Sequence, residues 1–312
     1  MGAFRRVRIP WKAKAAAFRM LGAMPAGAEL YYLLQRYVTK TIPRNLSQTR
    51  GGENAYLHHI RAMAERHPDL SGVRLLDIGG GWDLYSNLLY YAFGVDQQIV
   101  VDVNRWSKAS LVNDIIDQLR AAPPPGAVRT PSQPVRKDRF EDDLQEQYGI
   151  SYRAPCAVET LELPANTIDV VTSSSVLEHV PAGEIAGLLR ACVKPLRPGG
   201  IMSHVVDFSD HYSHSDGSIS NFNYCTMSAE EWSKYNPGIH FQNRLRHADY
   251  LKLFHDAGLS VLKDSYWSEP RTAIAQIRLH DDFRRYDADD LLILGSHFVL
   301  APGQAKPNGR AR

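Results

Sequence analysis

The stretch Val73 to Val103, VRLLDIGGGWDLYSNLLYYAFGVDQQIVVDV, constrains the chain more than any other. An apolar run (Val73, Leu75, Leu76, Ile78) stops at three consecutive glycines. It resumes as an apolar-periodic segment through Leu84, Leu88 and Leu89, then returns as a second apolar run that ends at Asp102. That pattern predicts strand, glycine turn, helix, and a strand with a carboxylate at its tip. Without a Cβ, Gly79, Gly80 and Gly81 let a ligand lie against the main chain at a helix N-terminus. A carboxylate beyond the next strand is placed to accept hydrogen bonds from a ribose diol. The unit predicts a nucleoside-cofactor site.

The glycine count narrows the cofactor. A dinucleotide fingerprint needs G-x-G-x-x-G, and Leu84 stands where the third glycine belongs. Asp77 also sets an anion where a pyrophosphate would have to sit, so a cationic ligand fits better.

Elsewhere the chain alternates strand-like and helix-like segments. Helices are expected over Trp11 to Met20, Ala28 to Lys40, around Tyr56 to Ala64, Lys108 to Arg120, Phe140 to Tyr148, Ala182 to Val193 and Ala248 to Ala257. Ser228 with Glu231 forms a capping box, which predicts a helix over Ala229 to Tyr235. The proline-rich run Pro123 to Pro134 excludes regular structure. Strands are expected at Ile168 to Ser173, Ile201 to Phe208, Val261 to Trp267 and Leu292 to Leu300.

Charge is unevenly spread. Residues 1–50 hold ten Lys or Arg against Glu29 alone, a net of +9, which leaves −7 on the rest of a chain whose overall balance is +2. The basic stretch is read as a helical extension packing on an acidic body. The alternative is an arm drawn to membrane lipid or nucleic acid. Cys156, Cys192 and Cys225 are widely separated with no C-x-x-C spacing, which argues against a disulfide scaffold or a zinc site. Pro25, Glu29 and Arg36 interrupt the apolar residues between Leu21 and Val38, so no membrane span is expected there. The expected location is the cytoplasm, with contact at the inner membrane surface as a further option.

Three ordered motifs give the reading its class. D-x-G-x-G at Asp77 to Gly81 with Asp102 downstream, then S-x-x-x-L-E-H-V at Ser173 to Val180, then L-R-P-G-G at Leu196 to Gly200 before an apolar strand, resemble the class I S-adenosylmethionine (SAM) methyltransferases. The resemblance implies a Rossmann-like, seven-stranded, mostly parallel α/β sheet with helices on both faces and an antiparallel final hairpin. To that the chain would add an N-terminal helical extension (1–52), a methyltransferase domain (53–301) with a lid or acceptor insertion after the fifth strand (209–243), and a disordered tail (302–312). By resemblance, Asp77, Gly79 and Gly81 would hold the methionine part of SAM and Asp102 the ribose. Val103 would pack on adenine, with Ala157 among the residues after the third strand at the adenine edge. Ser173 and Ser174 would line the sulfonium side. No acidic residue stands in Pro155 to Val158.

An acceptor hydroxyl needs a base, and the loop after the fifth strand supplies candidates. His211, oriented by Asp207 or Asp210, is the first choice because its unperturbed pKa lies near working pH. His179 would border the acceptor pocket. Relatives with E-x-x-E-H bind a divalent metal; here Ser175 replaces the first glutamate, so no metal is expected, although Glu178, His179 and His211 remain a conceivable ligand set. More loosely, G-G-G-W-D, V-D-F-S-D-H-Y and the run Phe241 to Tyr250 resemble methyltransferases of sugar and surface-polysaccharide modification. The expected activity is O-methylation of a small-molecule or glycan acceptor. The alternatives are an RNA methyltransferase using the basic arm and a noncatalytic SAM-fold binding protein.

Overall fold

The computed structural model describes residues 9–46, 55–275 and 277–303. Seven strands form one sheet: β1 (Arg74–Ile78), β2 (Gln97–Val101), β3 (Ile150–Arg153), β4 (Ile168–Ser174), β5 (Leu196–Asp207), β6 (Leu259–Ser268) and β7 (Ile293–Pro302). Their order is β3-β2-β1-β4-β5-β7-β6. The first five run parallel, and β7 is antiparallel to both β5 and β6. Strand order therefore reverses between β1 and β4, which opens a crevice at their carboxyl ends.

Alternation along the strands divides the core. Leu75, Val100, Val170 and Ile201 face one layer, made by α3 (Ala55–Ala64), α4 (Tyr85–Ala92), α5 (Ala109–Ala121) and α6 (Phe140–Tyr148), whose Met63, Leu88, Ile115 and Leu144 are buried against the strands. Leu76, Ile78, Val171 and Met202 face the other layer, where α7 (Ala182–Val193) and α9 (His247–Asp256) bring Ile185, Leu189 and Phe254. A short helix, α8 (Ala229–Ser233), lies between β5 and α9, and α10 (Ala288–Leu292) leads into β7. Ser228 caps α8 by accepting from the Glu231 N–H, as the capping box predicts, although the helix stops two residues short of Tyr235.

The N-terminal segment folds as α1 (Trp11–Ala23) and α2 (Gly27–Leu33), the latter continuing as a π-turn over Leu34–Val38. Its described residues do not project as an arm. Ala15, Phe18 and Leu21 join Tyr212, Phe222 and Trp232 of the insertion, and Phe283 and Leu291 of the connection between β6 and β7, in a third core. The Trp11 N–H donates to Asp216 at 2.8 Å, and the Trp11 and Tyr235 rings meet at 4.7 Å. The final strand pair is thus no tight hairpin: residues 269–292 leave the sheet to help build this cap. Arg246, fully buried, pins the cap to the sheet by donating to the carbonyls of Phe208, Leu291 and Ile293 and to the Tyr224 hydroxyl. Of the expected tail 302–312, Pro302 instead closes β7 and the Gly303 N–H donates to the Gly258 carbonyl; the rest of it and residues 47–54 lie outside the described residues.

Candidate functional site

The glycine bend follows β1 directly. Gly79 has φ +85°, and a Cβ there would stand 2.4 Å from Val176 Cγ2, so glycine is required by both backbone and space. Gly81, at φ +63°, donates its N–H to Asp102 Oδ2 at 3.2 Å, while Asn104 N–H reaches Asp102 Oδ1 at 2.9 Å. Asp102 therefore ties the bend to the turn after β2. Burial raises its pKa, while those two N–H groups pull it down.

Asp77 lies deeper. It accepts from Thr172 Oγ1 and from Asn87 Nδ2, neutral groups that leave its charge uncompensated. Burial pushes its pKa up to about 7. A buried carboxylate of this kind favours a cationic ligand group beside it.

A cavity of about 930 Å³ lies over the crevice. Asp77, Gly79, Gly81, Asp102 and Val103 line its floor, with Ser174 and His179 at the β4 end. Met24, Pro25 and Tyr31 of the N-terminal helices, with Ile239, His240 and Phe241 of the insertion, form the opposite wall. Asp102 at one end and uncharged glycine backbone beside Asp77 at the other match a ribose and an ammonium-bearing chain, so the residues present fit SAM.

Two expected lining residues are corrected. Ser173 is fully buried with Oγ 2.8 Å from His204 Nδ1; strand alternation sends its side chain away from the crevice. Ser174 is the serine that lines it, its Oγ 2.9 Å from His59 Nε2. Ala157 precedes the one-turn helix Val158–Thr160 and is not on the cavity wall, whereas Cys156, Val158 and Glu159 are. Glu159, one residue past the run Pro155 to Val158, brings a carboxylate to the wall. Trp82 and Trp106, with ring centroids 4.7 Å apart, also face the cavity; their positions in turns carried no periodic signal.

The expected base is likewise corrected. His211 sits in a histidine group, its ring 5.0 Å from His179 and 5.2 Å from His214. His211 is absent from the cavity wall, where His179 stands instead; burial first, and neighbouring histidines second, lower its pKa to about 2. Asp210 does not touch the ring: fully buried, it accepts from Tyr212 N–H and Asn223 Nδ2 and so holds the loop. Asp207 is the carboxylate near His211, with Oδ2 3.6 Å from Nε2.

His179 is differently placed. Its Nδ1 lies 2.6 Å from the Phe241 carbonyl, which can only accept, so Nδ1 carries the proton and Nε2 keeps the lone pair. Burial lowers its pKa, so the ring is neutral at pH 7. Glu178, almost fully buried, accepts from the Asp207 N–H through Oε1, while Oε2 is buried without a hydrogen-bond partner. His211 Nε2 is likewise unpaired. Glu178, His179 and His211 each offer one ligand atom, all within 4.8 Å of one another.

A sheet with this order and a single reversed strand, carrying a glycine bend closed by a carboxylate at its switch point, defines the class I SAM-dependent methyltransferases. The family described as a methyltransferase domain matches residues 34–264, and the chain belongs to it. Among curated proteins, the ubiquinone biosynthesis O-methyltransferase of Neisseria meningitidis serogroup A is 22% identical over 218 residues, 68% of this chain and 76% of that protein. That of Aliivibrio fischeri (strain MJ11) is 30% identical over 112 residues, 35% of this chain. The chain spans 44% of the length of the latter. Among solved structures, geranyl diphosphate methyltransferase in complex with SAM aligns over 79% of this chain and 85% of its own, at 12% identity and TM-score 0.46. A SAM-dependent methyltransferase from Mesorhizobium loti aligns over 80% of this chain and 98% of its own, at 16% identity and TM-score 0.43.

Proposed function

We propose that the protein methylates an oxygen of a small, largely apolar acceptor, with His179 as the base. The observation that carries this reading is His179 on the cavity wall, its Nδ1–H spent on a carbonyl and its Nε2 unprotonated, beneath a lid of Tyr31, Ile239 and Phe241. SAM, when bound, supplies a methyl group on cationic sulfur, a carbon already activated toward displacement. The residues of this chain then align and dry the reacting pair: Asp77 and the glycine bend fix one end, Asp102 the other, and the cap excludes water. His179 Nε2 takes the proton of the acceptor hydroxyl as its oxygen gains the methyl group. The apolar lid favours a flat or hydrocarbon-bearing acceptor over a glycan. The curated relatives are themselves named as O-methyltransferases of ubiquinone biosynthesis.

The test is incubation of cell extract with the protein and methyl-labelled SAM, followed by mass spectrometry. The labelled product should be a small molecule methylated on oxygen. His179→Ala should lower turnover by about a hundredfold or more, with cofactor affinity unchanged. Label on RNA, or full turnover in His179→Ala, would refute the reading.

The unpaired Glu178 Oε2 and His211 Nε2 favour a second reading, in which a divalent cation joins Glu178, His179 and His211. One carboxylate and two imidazoles suit zinc, manganese or iron. Loss of turnover on chelation, with recovery on adding one of these metals, would support it; indifference to chelator would remove it.

A further inference from the structure

Helix α1 has two apolar sides. Ala15, Phe18 and Leu21 face the cap core, while Ala13, Ala16, Ala17, Met20 and, just past the helix end, Met24 follow one another at helical spacing on the solvent side. Met20 is 69% exposed. An exposed apolar face of this kind on a folded protein marks a binding surface. Its setting is basic: α1 has no acidic residue, Lys12, Arg19 and Lys40 are exposed, and Arg5, Arg6 and Arg8 stand just ahead in the sequence. No helix among the described residues is long and apolar enough to cross a membrane.

We propose that this face docks on the surface of an anionic phospholipid bilayer and that the apolar acceptor enters the cavity from that side. Charge selects this occupant. A second copy would bring the same cations face to face, whereas an anionic lipid surface neutralises them while its acyl boundary takes up Met20 and Met24. Methionine and alanine offer no flat platform for bases, which sets the face apart from a nucleic-acid groove. The face is continuous with the site: Met24 is at once on the exposed stripe and on the cavity wall, beside Leu21 and Pro25. Docking would thus set the acceptor entrance against the lipid. The statement about the acceptor rests on the small-molecule reading above; the docking does not.

Full-length protein sedimented with vesicles of phosphatidylcholine, alone or mixed with phosphatidylglycerol, tests this at low and high salt. The wild type should sediment with the anionic vesicles only and be released by salt. Ala17→Ser/Met20→Ser should weaken partitioning about tenfold through lost apolar burial. In Lys12→Glu/Lys40→Glu, each charge lost should weaken it about fivefold. Both variants should bind SAM as the wild type does by calorimetry, which shows that the fold is intact. No sedimentation with anionic vesicles at low salt, or equal sedimentation by all three proteins, would overturn the proposal. So would loss in the variants of RNA binding or self-association in place of vesicle binding. Failure of the wild type to bind SAM would instead refute the methyltransferase reading and leave the vesicle result standing.

Discussion

Replacing Asp102 by alanine isolates what the carboxylate beyond β2 contributes to holding the cofactor. Each of its oxygens already accepts one backbone N–H, from Gly81 at 3.2 Å and from Asn104 at 2.9 Å. Each therefore keeps capacity for one more donor, and a ribose diol brings two. A hydrogen bond to a charged group contributes about 1.5–3 kcal/mol, so losing two costs about 3–6 kcal/mol before water in the cavity restores part of it. A net loss of about 3 kcal/mol corresponds to a rise in Kd of about a hundredfold or more. Asp102→Asn keeps one acceptor and the side-chain shape, so its loss should be about tenfold. Isothermal titration with S-adenosylhomocysteine measures both, and a thermal melt of each variant checks the fold. The order alanine, asparagine, wild type is the diagnostic. If Asp102→Ala binds within about threefold of the wild type, less than about 0.7 kcal/mol, the ribose is held elsewhere and the assignment of the crevice fails.

Asp77→Asn should weaken SAM binding yet stabilise the cofactor-free protein. With a folded-state pKa of about 7 against about 4 when unfolded, ionisation of Asp77 progressively favours unfolding as pH rises from about 4 to 7, so the gain in Tm over wild type should grow across that window and level off above it. Gly79→Ala should cost about 1–2 kcal/mol in backbone strain, beyond the clash with Val176, and abolish measurable SAM binding; adding Val176→Ala should relieve the clash without restoring the backbone, which urea melts of both variants would show. Arg246→Met removes the donor to three buried carbonyls and should lower stability by about 3–5 kcal/mol, read from the urea midpoint, with a loss below about 1 kcal/mol refuting its role as the cap's anchor.

What the sequence revealed and what it hid divide along a physical line. The strand, glycine bend and carboxylate from Val73 to Asp102 were legible because each depends on residues close in the chain. So were the helices Phe140–Tyr148 and Ala182–Val193, whose expected bounds match the structure at both ends. The choice between Ser173 and Ser174 was hidden, since two serines at the end of a strand give no clue to the phase of its alternation. The chemistry of His211 was hidden for another reason: its pKa is set by burial beneath residues brought from His179, His214 and His240, and no local spacing encodes that. The third core was the least legible. Phe18, Tyr212 and Phe283 meet there across most of the chain's length, and although Phe18 lies on a helix the sequence predicts, nothing local says what its buried face packs against.

That third core has a consequence for acceptor choice. The floor of the crevice is written in one short stretch of chain and tolerates little alteration, because its bend admits no side chain at Gly79. The roof is assembled from separate segments that the sheet does not need for its own pairing. Roof residues can therefore be exchanged, and the shape offered to an acceptor changed, without disturbing the bend that Gly79 fixes.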